Sequence, residues 1–168
     1  NAKHQYDLDM WDMKRQQLQS QRQEAVDRIN LQASLEIISA ANCPVIFASS
    51  AAIYGEPVEI PIAENHPISP VGYYGQQKAT IDANICSLGP QSTPACALRF
   101  FNVYGTGQDP SSQYSGVLSI FIDRASTGRQ ITIFGDGEQQ RAFSYIDNCL
   151  EPFWKAATDE RASKQIIN

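Results

Sequence analysis

The strongest constraint on the fold is an alternation of helical and strand-like stretches separated by proline-rich breaks. Val26, Ile29, Ala33, Ile37 and Ala40 recur at three- to four-residue spacing, which predicts a helix with one apolar face. Asn42 ends it and Pro44 bars its continuation. Val45-Ile46-Phe47-Ala48 follows as a short apolar run, the pattern of a strand covered on both faces. Pro57, Pro61, Pro67 and Pro70 exclude a long helix from residues 55–70 and predict a loop. A second helix is predicted over 73–88, closed by Gly89-Pro90, and a second buried strand over 96–101, with Asn102 at its tip. Helix, strand, helix and strand in this order predict an α/β chain built on part of a doubly wound parallel sheet. Ser49 and Ser50 then fall at the C-terminal end of the first strand, where open α/β sheets bind ligands.

Beyond Gly105 the texture changes. Residues 106–115 read as loop, 117–127 as a helix stopped by Gly128, and 131–134 as a short strand leading into a Gly135-Asp136-Gly137 turn. The last helix is predicted over 148–158, and Ile166-Ile167-Asn168 reads as the start of a strand. Residues 1–24 are polar and glutamine-rich, the composition of a solvated helix or a disordered surface or linker segment; the alternative is a partner-binding helix anchored by Met10, Trp11 and Met13. The chain thus divides into 1–24, 25–105 and 106–168.

A net charge of −5 argues against nucleic acid as a general partner, because phosphate binding needs a basic surface. Cys43, Cys86, Cys96 and Cys149 form no Cys-x-x-Cys pair, and His4 and His66 lie far apart, so neither a metal site nor a disulfide framework is predicted. No apolar run is long enough to span a bilayer and no signal peptide is visible, so a cytoplasmic protein without a membrane partner is expected.

The chemistry concentrates in two stretches, Phe47 to Gly55 and Tyr73 to Lys78. Tyr74 and Lys78 are four residues apart, and on a helix such positions lie one above the other on the same face. A nearby cation favours the ionised form of an acid, so this pairing makes the phenol a usable base near neutral pH. Ser50 adds a hydroxyl at the strand end. Tyr73 points about 100° away around the helix and is expected to pack.

These residues resemble the extended short-chain dehydrogenase/reductase family, and within it the nucleotide-sugar epimerases of the UDP-glucose 4-epimerase type. The resemblance runs from about residue 30 to residue 168 and rests on five ordered stretches. They are Ser49-Ser50-Ala51-Ala52-Ile53-Tyr54-Gly55, then Tyr74-Gly75-Gln76-Gln77-Lys78, then Leu98-Arg99-Phe100-Phe101-Asn102-Val103-Tyr104-Gly105. Ile131-Thr132-Ile133-Phe134-Gly135-Asp136-Gly137 and Arg141-Ala142-Phe143-Ser144-Tyr145-Ile146-Asp147 complete the set.

The resemblance implies a Rossmann-like fold, NAD as cofactor and epimerisation at C4 of a UDP-hexose through a transient 4-keto sugar. It casts Tyr74 as the acid/base, Lys78 as its partner and a holder of the nicotinamide ribose, and Ser50 as the hydroxyl that bonds the sugar oxygen. Asn30, Ala48, Ser49 and Phe101 become cofactor contacts. Asn102, Val117, Leu118, Phe134 and Arg141 become substrate contacts, with Arg141 clamping the diphosphate. Ala51 and Ala52 stand where sugar-nucleotide dehydratases carry an acidic pair, which argues against a dehydratase. Ala33-Ser34 replaces the usual Gly-Thr, and Ala142 replaces the usual aspartate.

Gly105-x-Gly107 and Gly135-x-Gly137 do not complete a dinucleotide fingerprint. The glycine-rich loop that cradles the pyrophosphate in the family is therefore expected outside this chain, and the chain alone is expected to bind NAD weakly. The resemblance also implies a homodimer through helices near 26–41 and 73–88. The alternative is a catalytically silent remnant or interaction module that keeps the scaffold.

Overall fold

The computed structural model describes residues 2–111 and 116–168, so part of the loop expected at 106–115 lies outside the described residues. Helix α1 (Ala2–Asp27) runs through a π-helical turn at Arg28–Gln32 into α2 (Ala33–Ala40). The helix expected from Val26, whose side chain is outside the described set, therefore starts far upstream. Gln, Lys, Arg and Ala lose little entropy in a helix, which is why the polar segment is helical despite having no apolar face. Trp11, Met13 and Leu18 are exposed on it.

Strand β1 (Val45–Ser50) leads through a 3₁₀ turn (Ala51–Tyr54) and the proline-rich loop to α3 (Gly72–Cys86) and then to β2 (Ala95–Phe100). β1 and β2 are parallel, with Val45 opposite Ala95 and Ser50 opposite Phe100. β5 (Ile166–Ile167) pairs in parallel with the other edge of β2. The central position of β2 explains why residues 95–99 are all buried.

Side chains alternate across a strand, and the two faces of this sheet take separate layers. Ala95 and Ala97 face Ile38 of α2 and Ile81 and Ile85 of α3, with Val45 and Phe47 beside them. Cys96, Leu98 and Phe100 face the opposite layer, where Phe153 and Ala156 of α5 (Ile146–Thr158) pack. Helices thus cover both faces of a parallel sheet, as the alternation of elements predicts.

Two features place the site. Gly55, at φ +63°, turns the chain where an added Cβ would meet the Ser69 carbonyl oxygen at 2.0 Å. Gly75, inside α3, lets that helix touch the 3₁₀ turn, because a Cβ there would lie 2.7 Å from the Ala52 oxygen and 2.9 Å from Pro70 Cβ. In an exposed helix Gly→Ala gains about 1 kcal/mol. At Gly75 the added methyl meets backbone, so Gly75→Ala is expected to destabilise by about 1–3 kcal/mol, read as a lower urea midpoint.

The second half departs from expectation at one strand. α4 (Val117–Ser126) forms as predicted, but residues 131–134 pair with nothing among the described residues. Ile133 is 61% and Phe134 80% exposed. β-branched residues favour an extended backbone, but a strand also needs a partner for its N–H and C=O groups. A two-residue parallel pair forms instead between β3 (Val103–Tyr104) and β4 (Ser144–Tyr145). It brings the Asn102 and Arg141 stretches together.

Candidate active site

The cluster lies at the C-terminal end of β1. Ser50 caps the 3₁₀ turn, its Oγ accepting from the Ala52 N–H at 3.2 Å. A hydroxyl has one donor and two acceptor sites, so this bond orients Ser50 and leaves its O–H free to donate to a ligand. Contact through Gly75 brings α3, and with it Tyr74, against the same turn. Tyr74 is half exposed.

Lys78 crosses from α3 to β1. Its Nζ donates to the Ala48 carbonyl at 2.7 Å and sits 4.3 Å from the Phe47 ring centroid and 5.6 Å from that of Tyr74. An ammonium has three donors, and the Ala48 carbonyl takes one, so the other two are available to a ligand hydroxyl. Burial pushes the Lys78 ammonium below the ordinary lysine value, and the Asp82 carboxylate one turn on partly opposes it.

This depression has a sign that can be measured. Between the folded value of Lys78 and about 10.4 in the unfolded chain, the unfolded state binds more protons, so stability rises with pH. The burial cost is fully present below that window and is relieved as pH climbs through it. The stability difference between wild type and Lys78→Met is expected to shift toward wild type as pH rises toward about 10.4, the unfolded-chain value, in urea titrations.

The remaining expected cofactor contacts surround this cluster. Asn30 sits in the π-helical turn and its Nδ2 donates to Gln77 Oε1 at 3.3 Å, beside Lys78. Ser49 is buried and its Oγ has no hydrogen-bond partner among the described residues. Phe101 stacks on Tyr54 with ring centroids 6.3 Å apart. The two free donors of Lys78 fit the hydroxyl groups of a ribose such as the nicotinamide ribose of NAD. Among the described residues no glycine-rich turn opens a helix after a strand, so the pyrophosphate end has no cradle here.

The expected substrate contacts form a second group. Asn102, at φ +34°, donates from Nδ2 to the Ala142 carbonyl at 2.9 Å, and its own carbonyl accepts from the Ser144 N–H. Its amide thus holds the 142–144 segment. Arg141 donates to the adjacent Gln140 carbonyl at 2.8 Å. Val117 is exposed and Leu118 half-buried on α4. The Phe134 carbonyl accepts from Gln139 Nε2 at 2.7 Å.

Tyr73 does not pack as expected. It is 63% exposed and lines a shallow groove with Leu31, Gln32 and Thr80. Sequence reasoning also passed over Asp82, Arg99 and Tyr54, which form a buried network under the cluster. Asp82 lies four residues beyond Lys78, and Arg99 is the one charge in an apolar strand; both signals were legible. A cavity of about 360 Å³ opens at the opposite end of the sheet, lined by Pro44, Ile46, Pro94, Cys96, Ala157 and Asp159. It is mostly apolar, and burial pushes the Cys96 thiol up, away from reactivity. Among the described residues, no three of His, Cys, Asp or Glu gather as metal ligands, and no helix is long and apolar enough to cross a membrane.

Known proteins resemble this chain along most of its length. It is 43% identical over 104 residues to a Methanocaldococcus jannaschii protein provisionally named UDP-glucose 4-epimerase, a match covering 61% of this chain and 34% of that protein. It is 32% identical over 130 residues to the UDP-N-acetyl-alpha-D-glucosaminuronate decarboxylase of Bacillus cytotoxicus, covering 74% of this chain and 40% of the other. Among solved structures, the UDP-N-acetylglucosamine 4-epimerase of Methanobrevibacter ruminantium M1, in complex with UDP-N-acetylmuramic acid, superposes with a TM-score of 0.76. The identity is 33%, over 84% of this chain and 47% of that one. The chain therefore spans less than half the length of these relatives. The sequence profile of the NAD dependent epimerase/dehydratase family matches residues 14–168, beginning upstream of Asn30 within α1. With the parallel sheet and the Ser50, Tyr74 and Lys78 cluster at its strand end, that match shows that the chain belongs to the NAD dependent epimerase/dehydratase family.

Proposed function

We propose that the chain carries the catalytic part of an NAD-dependent nucleotide-sugar epimerase acting at C4 of a UDP-hexose. The observation that carries this reading is Lys78, anchored on the Ala48 carbonyl with its ammonium near the Tyr74 ring and beside the turn that Ser50 caps. Tyr74, as phenolate, takes the proton of the sugar hydroxyl and returns it when the hydroxyl re-forms. Ser50 donates its O–H to the same sugar oxygen. Lys78 directs its free donors to the nicotinamide ribose and places a positive charge beside the phenol. Lys78, with Asn30, Ala48, Ser49 and Phe101 around it, would hold NAD, which would supply reversible hydride transfer at the sugar carbon. Ala51 and Ala52 offer no acid or base, so this turn supplies no group for eliminating water. That favours epimerisation over dehydration.

Arg141, Asn102, Phe134, Val117 and Leu118 are read as the nucleotide-sugar side of the site. A guanidinium matches a diphosphate bidentately once Arg141 swings from the Gln140 carbonyl. The same reading includes a homodimer through the helices near 26–41 and 73–88, where Ile29 of the π-helical turn, Ile37 of α2 and Tyr73 of α3 are exposed. A monomeric mass in sedimentation would count against that dimer.

The test is to denature the purified full-length protein and assay the released NAD, and to follow a panel of UDP-hexoses by NMR for inversion at C4. Released NAD and an epimerised product are expected. No NAD and no product across the panel would leave only the scaffold, the reading in which the chain is an interaction module.

A further inference from the structure

Arg99 is the only charged residue in the central strand, Ala95–Phe100, and it is 5% exposed. Its Nε donates to Asp82 Oδ2 at 2.9 Å, and one of its terminal nitrogens donates to the Tyr54 hydroxyl at 2.7 Å and to the Glu64 carbonyl at 3.1 Å. Asp82 is 2% exposed and lies one helical turn beyond Lys78 on α3. Tyr54 is fully buried and closes the turn that Ser50 caps. Its hydroxyl in turn donates to Asn168 Oδ1 at 2.6 Å. One guanidinium therefore joins the helix bearing Tyr74 and Lys78 to the turn bearing Ser50.

A buried ion pair is weak evidence for stability, because well-packed apolar residues of similar volume serve as well. What the pair adds is direction. The guanidinium is planar and its donors diverge at set angles, so its partners cannot slide relative to one another. Asp82 Oδ1 is buried without a hydrogen-bond partner among the described residues, which leaves that oxygen's charge uncompensated by a donor. Lys78 meets the Phe47 ring and the Ala48 carbonyl on β1, and Tyr74 and Asp82 on its own helix, with Arg99 of β2 behind Asp82.

We propose that Arg99 and Asp82 are positioning residues that hold the Ser50 turn in register with Tyr74 and Lys78. The proposal rests on the epimerase reading of that site. Displacing reacting groups by about 1 Å costs on the order of 100-fold in rate even when binding is kept.

The test replaces both partners at once in the full chain, as Arg99→Met with Asp82→Leu, which leaves no buried charge unpaired. The expected result is a folded protein with kcat lowered about 100-fold and KM for the nucleotide sugar nearly unchanged. A folded double variant with wild-type kcat overturns the proposal, as does a rise in KM alone. If the double variant does not fold, Tyr54→Phe decides, since it removes only the hydroxyl that Arg99 grips. A lower kcat at constant KM supports the proposal and a wild-type kcat sinks it. If the wild type epimerises nothing, the epimerase reading has failed, and a crystal structure of the folded double variant, or of Tyr54→Phe, decides the positioning separately. A Ser50 turn displaced relative to Lys78 and Tyr74 supports the proposal, and an undisplaced turn refutes it.

Discussion

Tyr74→Phe is expected to lower kcat by about 10³-fold while leaving the fold and the binding of the nucleotide sugar nearly intact, the scale on which a positioned acid/base acts. The substitution removes one oxygen from a half-exposed ring on α3. That hydroxyl makes no hydrogen bond to another described residue, so its loss leaves no buried group unsatisfied. The ring that Lys78 approaches at 5.6 Å stays in place. The effect should therefore fall on kcat and not on the melting temperature. Steady-state kinetics on the full-length protein, with thermal denaturation alongside, give both numbers. A Tyr74→Phe enzyme turning over at the wild-type rate would remove Tyr74 from the chemistry. Tyr73→Phe is the control, since Tyr73 lies on another face of the helix over the groove beside Thr80, and it should leave kcat unchanged.

Arg99→Ala is expected to be the most destabilising single change, at about 3–5 kcal/mol. It leaves the Asp82 carboxylate, 2% exposed, without its counter-charge, while Oδ1 already lacks a partner. It also removes donors from the Tyr54 hydroxyl and the Glu64 carbonyl and opens a hole beside Tyr54. Domains are typically stable by only about 5–15 kcal/mol, so the loss is a large fraction of the whole. Chemical denaturation followed by circular dichroism measures it. A loss under about 1 kcal/mol, the range of an exposed pair, would mean that water reaches the ion pair and that its burial is wrong.

The first half of the fold was legible because its elements announce themselves locally. Val45-Ile46-Phe47-Ala48 and Cys96-Ala97-Leu98 are apolar runs bounded by proline and by helices, and both became adjacent parallel strands. The Tyr74–Lys78 pairing was legible for the same reason, since helix geometry alone sets the i, i+4 neighbourhood. Residues 131–134 show the limit. Their β-branched residues suit a strand, yet strand formation depends on a partner elsewhere in the chain, and none of the described residues supplies one. Tyr73 is a smaller example: helical periodicity said which way it points relative to Tyr74, but not that this side of α3 would be left uncovered.

Asn102 and Arg141 mark a different boundary. The motif stretches that contain them placed both residues near a ligand, and the β3–β4 pair does bring those stretches together. Where the polar atoms go was not local information. Asn102 gives its amide to Ala142, and Arg141 rests on its own neighbour's carbonyl.

From the order of its residues alone, this chain had to be α/β, with a hydroxyl at a strand end and a phenol and an ammonium stacked on the following helix, because periodicity, proline breaks and helical rise act over a few residues. The three-dimensional packing decided what those groups lean on: Lys78 against Ala48, the Ser50 turn against Gly75, and Arg99 bridging Asp82 to Tyr54. Those contacts join residues up to 45 positions apart, as between Arg99 and Tyr54. Long-range pairing of buried polar groups follows from how layers stack and exclude water, which no short stretch of sequence encodes by itself.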